Sequence, residues 1–253
     1  MRKHTLLRFV ASFALVGLLF LSGCSANSKG YSDDAFISAL ETGLVNRWKI
    51  SDKDDSKEAY RKAINAELDQ VSQFEDKKFK NSELKEYAIA YINSLKKQKA
   101  TLKYWSADDF DAKWDKVYDE RTAALVKINK IHKLKVSEKE DSLEELLGNG
   151  KSVNEKANIN KKIDAMLSKA KVERIDDDGS TEVEVTLTNT TGKDFKNFQV
   201  ILKLQDDDNA TVATDYLNTA DFTNGSTVKL KGYPDADSWS KYTLTRDVYD
   251  LDD

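Results

Sequence analysis

The spacing of the apolar residues changes once along this chain, and that change limits what it can fold into. Up to about residue 171 they recur near every four positions, and beyond it near every two. A recurrence of four lines one stripe of a helix; a recurrence of two lines one face of a strand. The chain therefore reads as a helical part, 31–171, followed by a strand part, 172–253. Segregated helices and strands predict an α+β protein of two domains, an up-and-down helical bundle and then a small antiparallel β-sandwich. The charge changes at the same place. Residues 24–171 carry 29 Lys and Arg against 26 Asp and Glu, whereas residues 172–253 carry 8 against 18.

In the helical part Phe36, Leu40, Leu44 and Trp48 form the first stripe, behind Ser32 as N-cap. Tyr60, Ile64, Leu68 and Val71 form the second. The third runs through Leu84, Tyr87, Ala88, Tyr91 and Leu95, and the fourth through Phe110, Trp114, Val117, Arg121, Leu125 and Ile128. Ser106-Ala107-Asp108-Asp109 resembles a capping box at the start of the fourth helix. Two shorter helices are expected after it. The first is capped at Ser137 and ended by Gly148-Asn149-Gly150; the second is capped at Ser152, with Ile159, Ile163, Met166 and Leu167 inward.

In the strand part Val183, Val185 and Leu187 alternate with polar residues up to the turn Asn189-Thr190-Thr191-Gly192. Phe198, Val200, Leu202 and Leu204 alternate again up to Asp206-Asp207-Asp208-Asn209. Further strand signals lie near 211–213, 227–230 and 242–248, so six or seven short strands are expected.

Residues 1–23 carry a different signal. A basic start, Arg2-Lys3 to Arg8, precedes an apolar run from Phe9 to Leu21 that is too short to span a bilayer comfortably. Leu21-Ser22-Gly23-Cys24 closes it, and Cys24 is the one cysteine of the chain. This segment resembles the bacterial lipobox. The resemblance implies a signal peptide, 1–23, recognised at Leu21, Ser22 and Gly23 and removed before Cys24. It also implies a lipid on Cys24, a short linker, 24–30, and an address on the extracytoplasmic face of the cell membrane.

The run of strand, Asn-Thr-Thr-Gly turn and Phe198-x-Val200-x-Leu202-x-Leu204-x-Asp206 is similar to the immunoglobulin-like FxLYD-type domain. With the lipobox and the lysine-rich helices, it resembles Gram-positive (firmicute) surface lipoproteins. Gln205 stands where the tyrosine of that motif would fall, and Asn209 where a turn glycine is common. The resemblance implies an immunoglobulin-like sandwich and an address, and it carries no activity.

Little else points to chemistry. With the signal peptide removed, His132 is the one histidine left, which excludes a His-rich zinc site, and no nucleophile motif accompanies it. Asp176, Asp178, Asp206 and Asp208 invite a calcium reading, because hard cations want oxygen ligands. Their spacing does not fit a calcium loop, and acidic residues equally suit turns. Tyr87, Tyr91, Trp105 and Trp114 can line a ligand pocket or fill a core. The runs Lys77-Lys78-Phe79-Lys80 and Lys96-Lys97-Gln98-Lys99 form a solvated face or approach an anionic leaflet.

The expectation is a non-enzymatic protein with no cofactor. It is held to the membrane through Cys24, does not bind nucleic acid, and presents surfaces to an envelope protein or polymer. A small molecule or lipid held in the bundle is the alternative, and a cell-wall-active enzyme the second alternative.

Overall fold

The computed structural model describes residues 30–177, 180–236 and 238–252. The expectations for residues 1–23, Cys24 and Asp178 lie outside the described residues. Among the described residues five α-helices come first: α1 Asp33–Ser51, α2 Lys57–Val71, α3 Ser82–Thr101, α4 Phe110–Ile131 and α5 Glu140–Leu167. Six strands follow: β1 Lys171–Asp177, β2 Ser180–Thr188, β3 Phe195–Gln205, β4 Thr211–Phe222, β5 Thr227–Gly232 and β6 Lys241–Leu251. The α+β organisation, helices before strands, is the one that the change of period predicts.

The first four helices bury their stripes against one another. Phe36, Leu40 and Leu44 of α1 share one core with Ile64 and Val71 of α2, Ile92 and Leu95 of α3, and Leu125 and Ile128 of α4. Each such side chain contributes about 1.5–3 kcal/mol when buried. α2 starts behind Ser56, whose hydroxyl accepts from the Ala59 N–H, and α3 behind Asn81, whose side chain accepts from the Leu84 N–H. At α1 the expected cap differs. Ser32 holds the N-cap position without a side-chain bond. Asp33 instead accepts from the Lys80 and Asn81 N–H groups, tying the starts of α1 and α3 together.

Two further expectations about helix starts are corrected. The capping box at Ser106 does not form: α4 begins at Phe110, behind Asp109. The Asp109 side chain makes no cap bond and engages the Lys113 ammonium. Ser137 caps nothing, since α5 begins at Glu140 behind Lys139.

The largest difference is α5 itself. It is one helix of 28 residues and continues through Gly148-Asn149-Gly150. Gly150 is there for proximity. A Cβ on it would lie 2.2 Å from the Thr122 carbonyl oxygen and 2.5 Å from its carbon, so only glycine lets α5 cross α4 this closely. Ser152, expected as a cap, donates to the Gly148 carbonyl inside the helix.

The stripe of α5 divides between two cores. Leu143 and Leu146 join the helical core, while Ile159, Ile163, Met166 and Leu167 pack with the strands. Two three-stranded antiparallel sheets, ordered β1-β2-β5 and β4-β3-β6, close that second core. Val183, Val185 and Leu187 of β2 meet Phe198, Val200, Leu202 and Leu204 of β3 inside it. The turn after β2 is built on Asn189. Its side-chain N–H donates to the Lys193 and Phe222 carbonyls, and its oxygen accepts from the Thr191 N–H and hydroxyl. Gly192 takes a φ of +80° there.

β4 runs well past the expected 211–213, to Phe222. Leu217 and Phe222 are its buried residues, and polar Asp215 and Thr219 hold half-buried positions on the face of Leu217. β6 binds back onto α5. Arg246 donates to the Asn160 carbonyl at 3.1 Å and to Asp164 at 3.0 Å, and the Tyr249 hydroxyl donates to Asn160 at 2.8 Å. No described helix is long and apolar enough to cross a membrane.

Candidate functional site

Four helices each send polar side chains into the helical core. Arg47 comes from α1, Glu67 from α2, Tyr91 and Gln98 from α3, and Arg121 from α4. Glu67 and Tyr91 are fully buried and Arg121 nearly so, with Arg47 the least enclosed at 9%. Gly43, one turn before Arg47, lets α1 pass close over Glu67. A Cβ there would stand 3.3 Å from both the Glu67 carbonyl oxygen and its Cγ.

Glu67 accepts four hydrogen bonds. Arg121 Nη2 donates to both carboxylate oxygens at 3.0 and 3.1 Å, Arg47 Nη1 donates at 2.9 Å, and the Tyr91 hydroxyl donates the fourth. Arg121 Nε also donates to the Tyr91 oxygen at 3.2 Å, and Arg47 Nη1 to the Gln98 oxygen at 3.1 Å. The Gln98 amide nitrogen is buried without a partner among the described residues.

These contacts set the charges. Burial raises the pKa of Glu67, but the guanidinium of Arg121, that of Arg47 and the hydrogen bonds outweigh it, so the carboxyl titrates below its usual range. Burial pushes Tyr91 up, so its hydroxyl stays a neutral donor. Burial lowers Arg121 too, yet Glu67 and Tyr91 more than compensate and hold it charged. Arg47 moves the other way: burial and the positive charge of Arg121 exceed the pull of Glu67. Its weaker hold explains the contrast, since Arg47 makes one bond to Glu67 where Arg121 makes two. Two cations around one anion leave the cluster with an excess positive charge.

A pocket of about 370 Å³ opens beside it. Arg47 and Arg121 are among its buried lining, Trp48, Tyr60, Trp114 and Tyr118 supply aromatic walls, and Asp52 and Glu145 are exposed members. Tyr60 meets Trp114 and Trp105 edge-on at ring separations of 5.1 and 5.2 Å, which braces the wall. Asp52 is occupied by Lys139. A wider cleft of about 560 Å³ between α5 and β6 has exposed Glu155, Lys156 and Asp250 on its lining and no buried charge.

The residues singled out from sequence are distributed as follows. Of the four aromatics, Trp114 lines the pocket and Tyr91 belongs to the buried network beneath it. Tyr87 and Trp105 pack at the edge of the core instead, Tyr87 under the Lys127 ammonium. Asp206 accepts from the Asp208 and Ala210 N–H groups, so it serves the β3–β4 hairpin, in which Asp208 is exposed. The backbone of Asp176, in β1, pairs with that of Thr181 in β2. Among the described residues no group of three or more His, Cys, Asp or Glu is placed to hold a metal ion. His132 is exposed at the end of α4. Lys96 and Lys97 form ion pairs with Glu75 and Glu120 across the helices.

Sequence reasoning missed Arg47, Glu67 and Gln98. Arg121 carried the one available signal, a charged residue in register with an apolar stripe. No protein-family model, no curated protein and no solved structure matches this chain.

Proposed function

We propose that the chain is a non-enzymatic surface lipoprotein, tethered to the extracytoplasmic face of the membrane through Cys24, whose strand domain recognises an envelope protein. The observation that carries this reading is where the exposed apolar side chains lie. Six of the eight large exposed hydrophobics among the described residues belong to the strand part: Ile175, Val212, Tyr216, Tyr233, Tyr242 and Val248. Exposed tyrosines suit recognition because they combine a large apolar body with a polar tip. Asp215 fixes two of them locally, accepting from the backbone N–H groups of Tyr216 at 2.8 Å and Tyr233 at 3.0 Å.

The acidic balance of residues 172–253, 18 Asp and Glu against 8 Lys and Arg, favours a protein with a basic patch over an anionic wall polymer. An immunoglobulin-like arrangement of the FxLYD type is part of the reading. The order β1-β2-β5 opposite a sheet that pairs β3 with β6 is consistent with the A-B-E and C-F pairings of such domains.

Two measurements test it. Cys24→Ala is expected to stop lipidation, moving the protein from the detergent phase to the aqueous phase; unchanged partitioning overturns the anchor. In-cell cross-linking of the full chain is expected to enrich one envelope protein. Tyr216→Ser with Tyr233→Ser should reduce that capture about ten-fold or more, since exposed aromatic anchors contribute about 1–2 kcal/mol each. Capture that ignores both substitutions removes the strand domain from recognition.

A further inference from the structure

We propose that the pocket over Arg47 and Arg121 binds a small ligand with an oxyanion head, a carboxylate or phosphate, on a flat apolar body. This site stands independently of any partner of the strand domain.

The donors of the two arginines are only partly used. Arg47 bonds through Nη1 alone, and Arg121 through Nε and Nη2 alone. Arg47 Nε and Nη2 and Arg121 Nη1 have no hydrogen-bond acceptor among the described residues, although both side chains are at least nine-tenths buried and line the pocket. Glu67 cannot serve them further, because it already accepts four bonds. A guanidinium taken out of water wants its donors met and its charge answered. Water in the pocket meets the donors; an oxyanion meets the donors and also neutralises the excess charge.

A network kept only to fix the helix packing would gain by balancing its charges, and this one does not. The walls supply the second half of the specificity. Trp48, Tyr60, Trp114 and Tyr118 present ring surface around a space of about 370 Å³, within the range of about 300–1,000 Å³ typical of ligand pockets. Glu145 lies on the same lining, exposed, and forms no ion pair with either arginine. Its charge opposes an incoming anion.

The test uses the full chain in detergent micelles, titrated with phenyl phosphate, phenylacetate and neutral benzyl alcohol. Tryptophan emission reports on Trp48 and Trp114, and calorimetry supplies the affinity. One of the two anions is expected to bind saturably and at least about ten-fold more tightly than benzyl alcohol, and the tighter one names the head group. Arg47→Gln should weaken that anion about ten-fold or more while leaving the Glu67–Arg121 pair in place. Glu145→Gln, a substitution at an exposed residue, should tighten it. Anions that bind no better than the alcohol overturn the proposal. So does an affinity unmoved by Glu145→Gln, which decides the matter if the Arg47 variant does not fold.

Discussion

Replacing Glu67 with glutamine is expected to lower the free energy of unfolding by about 3–5 kcal/mol, read from urea denaturation at neutral pH. Glutamine keeps the volume and removes the one anion that holds Arg47 and Arg121 in the core. Substituting all three by apolar residues of similar volume should recover most of the loss, because no charge is then left buried alone.

The same group sets an acid limit. The folded pKa of Glu67 lies below its unfolded value of about 4.3. Its contribution is therefore fully present above that value and is lost as pH falls through the folded pKa. The wild-type protein should lose stability steeply below about pH 4, and the glutamine variant should lose less over the same interval. Parallel acid limbs for the two proteins would show that Glu67 is not the group responsible.

Alanine at Gly150 and alanine at Gly148 should have opposite signs, two residues apart on one helix. Alanine in place of glycine inside a helix ordinarily adds about 0.5–1 kcal/mol. At Gly148 nothing lies within 4 Å of the new methyl, so that gain is expected in full. At Gly150 the methyl would meet the Thr122 backbone at 2.2 Å and the Val126 side chain at 2.7 Å. Backbone cannot turn aside as a side chain can, so α4 and α5 must separate. A loss of about 2–3 kcal/mol is expected, at the upper end for an overpacked site. Thermal or urea melts of the two variants decide it; two gains, or two losses, would contradict the crossing.

Gly150 also shows why part of the fold could not be read from sequence. Gly-Asn-Gly is a good helix-stop signal, and the local chemistry carries no trace of the neighbouring helix that makes glycine necessary. The helical stripes and the alternation in β2 and β3 were legible because each buries one continuous face. β4 was mostly invisible, because a strand with two buried residues in twelve offers almost no period. The buried network escaped for a related reason. Arg47, Glu67 and Gln98 are residue types that usually face water, and only the meeting of α1, α2 and α3 shows that these do not. Arg121 was legible as an oddity on its stripe and not as a partner of Glu67, 54 residues away.

α5 carries a consequence for the order in which the protein can be made. Its first half finds its partners among helices already synthesised. Its second half, with Ile159, Ile163, Met166 and Leu167, waits for strands that follow it, and β6, whose Arg246 and Tyr249 clasp Asn160 and Asp164, comes last of them. At about 5–20 residues per second, the roughly 80 intervening residues leave that greasy half-helix uncovered for about 4–16 seconds. Until those strands arrive, a holdase or a neighbouring copy can capture the uncovered half-helix.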